Sequence, residues 1–145
     1  MKFLVCYDEA DPSAAILKEA QAHAKVWNAT LEVVKTITRE LAIKRSKILE
    51  MEKELEAKVS EQIKSGSVKY NAQLLLTSLE SGEKLIKFAE EEEIDLIFLG
   101  IKKRSKVGKL LFGSTAQYVI LQAPCPVITV KVYTLESAHT GNVTY

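Results

Sequence analysis

Ile94-Asp-Leu-Ile-Phe-Leu-Gly100 is the stretch on which the fold turns. Within residues 94–99 only Asp95 is polar, and an almost unbroken apolar run is the signature of a central parallel strand covered by helices on both faces. Upstream, Ser81 is placed to cap a helix that carries Leu85, Ile86 and Ala89 toward the core. Downstream, Gly100 is expected to end the strand and open a basic loop. Ser114 then caps a short helix bearing Val119 and Ile120, Pro124 and Pro126 break it, and residues 127–132, from Val127 to Val132, make the last strand.

The same alternation runs back to the start of the chain. Residues 2–7 form a short apolar run, and Asp11-Pro12 supplies a cap and a first-turn proline for a helix over residues 12–27. Its apolar positions are Leu17, Ala20, Ala24 and Trp27, with Asn28 as the stop. Residues 30–36 (TLEVVKT) are rich in β-branched side chains and read as the second strand. Residues 39–64 alternate charges around Leu41, Ile48, Leu55, Val59 and Ile63, the pattern of a long surface helix closed by Ser65-Gly66. Residues 68–76 are the third strand. Five strands alternating with four helices predict an α/β domain over residues 1–134, with residues 135–145 as a tail. The expected architecture is a three-layer open sheet of parallel strands in the order 3-2-1-4-5, helices on both faces, Rossmann-like.

Composition agrees with this reading and narrows the chemistry. A chain of 145 residues with 47% apolar and 27% charged side chains is an ordinary globular domain rather than a disordered one. The opening MKFLVCYDEADPS is too short in apolar residues for a secretory leader, and no stretch approaches a membrane span, so a cytoplasmic protein is expected. Cys6 and Cys125 lie in apolar runs and are expected to be buried thiols. With two histidines, His23 and His139, a His-based catalytic pair has almost no material. His23 reads as a helix-surface residue, Trp27 as a core or helix-end aromatic, Phe112 as core and residues 90–93 as a solvated helix end. No metal cluster is visible. The net charge of +1 hides an asymmetry: residues 96–135 hold no acid, while Lys102, Lys103, Arg104, Lys106, Lys109 and Lys131 are cationic. Such a local concentration suits an anion site better than a polyanion-binding surface.

In an open α/β sheet the ligand crevice lies beyond the carboxyl ends of the strands, where the strand order reverses. The order 3-2-1-4-5 puts that point between the first and fourth strands, whose next residues are Asp8 and Gly100. The carboxylate of Asp8 would there bind ribose hydroxyls or an adenine edge, or else serve with Glu9 and Asp11 only to favour the first helix's positive end. Residues 100–115 (GIKKRSKVGKLLFGST) combine glycines that admit an anion close to backbone with hydroxyls, from Ser114 and Thr115, at a helix start. They read either as a phosphate cradle aided by Lys102, Lys103 and Arg104 or as a solvated basic loop in which Gly113 and Ser114 turn and cap. The loop is not a Walker A motif, since Leu110 stands where Ser or Thr would bind magnesium.

Asp8 after the first strand, Gly100 followed thirteen residues later by Gly113-Ser114, and the ending FGSTAQYVILQAPCPVITV together resemble the universal stress protein family over nearly the whole chain. The family's ATP-binding pattern is Gly-x2-Gly-x9-Gly-Ser/Thr; Gly100, Gly113 and Ser114 match it, while Lys103 holds the second glycine position. A lysine there brings a Cβ and a long side chain that would either crowd a triphosphate or pair with it. Lys35-Thr36 stands where the family often has His-Val near the adenine. The resemblance implies ATP or AMP as ligand, with Mg2+ only through its phosphates, held by Tyr7, Asp8, Thr36, Gly100, Lys102, Lys103, Arg104, Gly113, Ser114 and Thr115. It also implies a regulatory homodimer paired through residues 127–132, acting in stress response, with an unknown protein partner and at most weak ATP hydrolysis. The alternative within the family is a member that binds no nucleotide and works as a dimeric interaction module. An enzyme of related architecture would need a Ser-Gly-Gly-x-Asp loop or paired histidines, and neither occurs. Nucleic acid is not expected as a partner, because no aromatic residues interleave the lysines to stack bases.

Overall fold

A computed structural model describes residues 1–8, 13–38, 43–64, 66–103 and 110–133. In chain order the elements are β1 (Lys2–Cys6), α1 (Ser13–Trp27), β2 (Thr30–Thr38), α2 (Arg45–Gln62), β3 (Tyr70–Thr77), α3 (Ser81–Glu91), β4 (Leu96–Lys103), β5 (Leu110–Leu111), α4 (Ser114–Gln122) and β6 (Val127–Tyr133). The long strands are parallel and lie in the order β3-β2-β1-β4-β6, as expected from the sequence.

Period-two alternation sends consecutive strand residues to opposite faces, and both faces are apolar. Phe3, Val5, Leu31, Val33 and Phe98 face one way, against Leu17, Ala20 and Ala24 of α1 and Leu55 and Val59 of α2. Leu4, Cys6, Val34, Ile97 and Leu99 face the other, against Leu85, Ile86 and Ala89 of α3 and Ala116 and Val119 of α4. The sheet is therefore the middle layer of three. One carboxylate is drawn into this interior: Glu32 is buried on β2, where the side-chain amides of Asn71 (2.9 Å) and Gln73 (3.5 Å) donate to it.

Several boundaries differ from the sequence reading. Gly100 does not end β4; the strand continues to Lys103 because β6 pairs with it along the whole stretch, Gly100 opposite Val130 and Lys103 opposite Tyr133. A short strand that the sequence did not announce, β5, pairs antiparallel with the same end, Lys102 opposite Leu111 and Lys103 opposite Leu110. The caps also shift by one residue: Glu80 and Gly113, not Ser81 and Ser114, occupy the N-cap positions of α3 and α4, and neither contributes a side-chain bond. Trp27 is 59% exposed and is a helix-end aromatic, not core, and Phe112, expected in the core, is 38% exposed. His23 lies less open than a surface residue, its ring edge-on to Phe98 at 5.3 Å. The expected roles of Glu9, Asp11, Pro12, Leu41, Ser65 and Arg104, and of the tail over residues 135–145, fall outside the described residues.

Two helix ends close alike. Asn28 (φ 51°) ends α1 as expected, with the Ala29 N–H reaching back to the Ala24 carbonyl at 3.0 Å. Glu93 (φ 53°) ends α3, with the Ile94 N–H on the Ala89 carbonyl at 2.9 Å and the Glu93 N–H on that of Glu90 at 3.3 Å. That six-to-one bond with its inner partner favours glycine at the left-handed position, and a Cβ there costs about 1–2 kcal/mol. Glu93→Gly is therefore expected to stabilise the fold by about 1 kcal/mol, read as a rise of a few degrees in the thermal midpoint. Gly82 is governed by packing instead. A Cβ on it would stand 2.9 Å from the Cβ of Tyr118, an atom fixed to the α4 backbone. Helix propensity would favour alanine by about 1 kcal/mol, but overpacking of about 1–3 kcal/mol opposes it and separates α3 from α4. Gly82→Ala is expected to lower the denaturation midpoint, and an unchanged midpoint would show that the two helices are not in this contact.

Candidate functional site

The parallel sheet sends the carboxyl ends of β1, β2 and β4 to one side, and a cleft of about 400 Å³ opens there. It lies at the reversal of strand order, since β1 continues to β2 on one edge and to β4 on the other. Three helices start at its rim, and each leaves its first-turn N–H groups without intrahelical partners. Tyr7 holds the turn out of β1 by donating its N–H to the Val34 carbonyl at 2.9 Å, which sets Asp8 at the mouth. Thr77 does the same work at the end of β3: its hydroxyl oxygen accepts from the Leu79 N–H at 2.8 Å and fixes the turn that delivers Ser81 to the cleft. On the far side, the Gln117 amide donates to the Phe112 carbonyl at 3.1 Å and steadies the entry to α4.

Of the residues expected to form the site, Tyr7, Asp8, Thr36, Gly100, Lys102, Gly113, Ser114 and Thr115 line this one cleft. Lys103 has its backbone in β4 between β5 and β6, and its side chain lies outside the described residues. Arg104 lies outside the described residues. The sequence reading missed Ser81, at the start of α3, and the apolar floor made by Cys6, Val34, Leu85 and Leu99. The floor could have been found from the strand alternation, because the last inward positions of adjacent parallel strands end at the same level. Ser81 carried no such signal, since its approach depends on how closely α3 packs on α4.

Gly113 is the informative position. It has φ −63° and ψ 163°, a conformation open to any residue, and among the described residues a Cβ on it would meet nothing within 4 Å. Neither backbone strain nor packing therefore asks for glycine, yet the result is a helix start with bare backbone donors facing a cleft. Such a start offers N–H groups and a partial positive charge to an anion. Lys102 adds a cation from β4 and Lys35 another from β2, and the carboxylate of Asp8 lines the cleft just past β1, between those two strands. Cys6, in the floor, is a free thiol that burial pushes up to about 12, so it stays protonated and is not a nucleophile. Among the described residues no group of three or more His, Cys, Asp or Glu side chains could hold a metal ion, and no helix is long and apolar enough to cross a membrane.

Comparison with known proteins agrees with this architecture. The model of the universal stress protein family matches residues 1–131. A universal stress protein of Mycolicibacterium smegmatis is 40% identical over 53 residues, which are 37% of this chain and 41% of that protein, so the match spans under half of the relative's length. The structure of a universal stress protein from Archaeoglobus fulgidus superposes with a TM-score of 0.77 at 31% identity, covering 90% of this chain and 98% of that one. Another from Archaeoglobus fulgidus, in complex with dAMP, gives a TM-score of 0.72 at 26% identity, with 90% and 98% covered. With sheet order, crevice and the Gly113-Ser114 helix start in common with the pattern read from its sequence, the chain belongs to the universal stress protein family.

Proposed function

We propose that the cleft binds an adenine nucleotide, ATP or AMP, and that this is a cytoplasmic regulatory protein of the stress response, without efficient catalysis of its own. The observation that carries the reading is the bare start of α4: Gly113 leaves the first turn open where a larger residue would fit without strain. The N–H groups of Ser114 and Thr115 would hold a phosphate with the Ser114 hydroxyl, and Lys102 would add attraction from β4. Asp8 would take ribose hydroxyls, and Thr36 would lie against the base. Mg2+, when present, would come with the phosphates rather than with a protein cage. A structural relative binds dAMP, which supports a nucleoside phosphate as the ligand class. The bound nucleotide would set the conformation or partner choice of a dimer.

The proposed dimer surface is β6. Among the described residues this strand pairs only with β4, which leaves its outer edge open, and an open edge is a template for a second chain. Leu121 of α4, the helix that precedes β6, is 78% exposed, which supports an apolar contact there. Sedimentation at micromolar concentration is expected to give twice the mass of the chain; a monomer would remove this part of the reading.

Two substitutions test the cleft. Ser114→Ala removes one bond to a charged ligand and is expected to weaken nucleotide binding about tenfold. Gly113→Asp places a carboxylate at the N-cap, where it satisfies the helix but repels an anion. It is expected to abolish nucleotide binding while holding or slightly raising the thermal midpoint, and loss of both would mean that Gly113 is structural. Mass analysis of small molecules released from freshly purified, denatured protein, followed by ATP and AMP titration, tests the reading directly. No retained nucleotide and no binding at millimolar concentration would favour the dimeric interaction module that binds none.

A further inference from the structure

We infer that Lys35 is a further binding residue of the cleft, and that with Lys102 it fits the cleft to a nucleotide free of metal, so that Mg2+ weakens binding instead of supporting it. This rests on the reading that the cleft takes an adenine nucleotide, and it concerns the ionic form of that ligand.

Both lysines line the cleft at levels where β1 has stopped. The ladder between β1 and β2 ends at Cys6 opposite Val34, and Lys35 is the next residue of β2. The ladder between β1 and β4 ends at Val5 opposite Phe98, and Lys102 follows further along β4. Two strand spacings separate β2 from β4, about 10 Å, so one small ligand can feel both cations. Strand alternation gives the lysines the side of the sheet taken by Val33 and Phe98, whereas α3 and α4 cover the other side. A ligand in the cleft therefore lies between lysines on one side and helix N–H groups on the other.

The charges on the lining make an anion receptor. Among the described residues they are Lys35 and Lys102 against Asp8, two cations to one carboxylate, and the partial positive charge of two helix starts adds to the excess. This sum is the same whichever partners the side chains take. A space of about 400 Å³ is about 9 Å across, within a Debye length at 0.1 M salt, so each charge acts on whatever fills it. By sequence, the segments that follow β1 and β4 outside the described residues carry Glu9 and Asp11 against Arg104, Lys106 and Lys109, a further cationic excess.

For Mg2+ the same lining is unfavourable. Nucleotide sites usually hold it through one or two carboxylates together with the substrate phosphates. Among the described residues Asp8 is the one carboxylate of the lining, and it stands between the strands of the two lysines, whose charges oppose a divalent cation. Mg2+ also cancels negative charge on the phosphates, and that charge is what the lysines and helix starts attract. The donor set fits the bare anion better than its metal complex.

Calorimetric titration of the full chain with ATP, with and without excess Mg2+ at matched ionic strength, tests this. ATP is expected to bind about fivefold more weakly with Mg2+, while AMP, a poor ligand for Mg2+, changes by less than about twofold. Lys35→Gln and Lys102→Gln are each expected to weaken metal-free ATP about threefold and to shrink the Mg2+ effect, with the thermal midpoint held. Lys35→Arg keeps the charge and should keep the response to Mg2+. Independently of any variant, added salt is expected to weaken metal-free ATP more than ATP with Mg2+. Equal or tighter binding of ATP with Mg2+, or an equal response to salt, overturns the inference and leaves the nucleotide reading standing. A Mg2+ effect undiminished in Lys35→Gln overturns the part given to Lys35. Binding of neither ATP nor AMP under any of these conditions removes the nucleotide reading itself and this inference with it.

Discussion

The backbone ladders of β4 hold the rest of the molecule in place. β1 registers against it from Phe3 opposite Leu96 to Val5 opposite Phe98, and β6 from Ile97 opposite Val127 onward. Its side chains serve both cores, Phe98 toward α1 and α2, Ile97 and Leu99 toward α3 and α4. Because β4 outruns β1 at the carboxyl end, one of its edges is, among the described residues, left partly bare just where the strand order reverses. The crevice is a consequence of unequal strand lengths, and the residues around it follow from where each strand stops.

Most of this was legible from the sequence for a simple reason. Strands buried on both faces must be apolar throughout, as residues 94–99 are, and helices that cover them must be apolar on one stripe, as Leu85, Ile86 and Ala89 are. Those constraints act locally and leave a local trace. The end of β4 left none: Gly100 has the composition of a stop, but cross-strand pairing with Val130 overrides it. β5 is equally silent, since two leucines carry no periodicity. The exposure of Trp27 and Phe112 depends on which elements happen to lie over them, a long-range matter that a hydrophobic side chain does not record.

The site divides the same way. Asp8 and Gly100 follow from topology, because the reversal of strand order between the first and fourth strands was foreseen, whereas Thr36 came only with the family pattern. Gly113 and Ser114 were visible as a turn before a helix. Ser81 was recognised only as a cap, and its arrival at the cleft depends on Gly82, which lets α3 come within contact of Tyr118. Lys103 stood out as a departure from pattern, and its strand setting supplies the reason a lysine can stand there at all: the position asks for extended backbone rather than for a turn.

The uncapped starts of α3 and α4 bear on how the folded state is maintained. Helix caps supplied by side chains are permanent, whereas Glu80 and Gly113 provide none, so the first turn of each helix at the cleft rim depends on solvent or on a bound anion for its missing acceptors. An anion that fills them only in the folded chain contributes RT ln(1 + [L]/Kd) to stability, about 2.7 kcal/mol at a hundred times Kd. The share of molecules folded at any moment, and with it their lifetime against proteolysis, would then track the concentration of a metabolite, making turnover itself the signal.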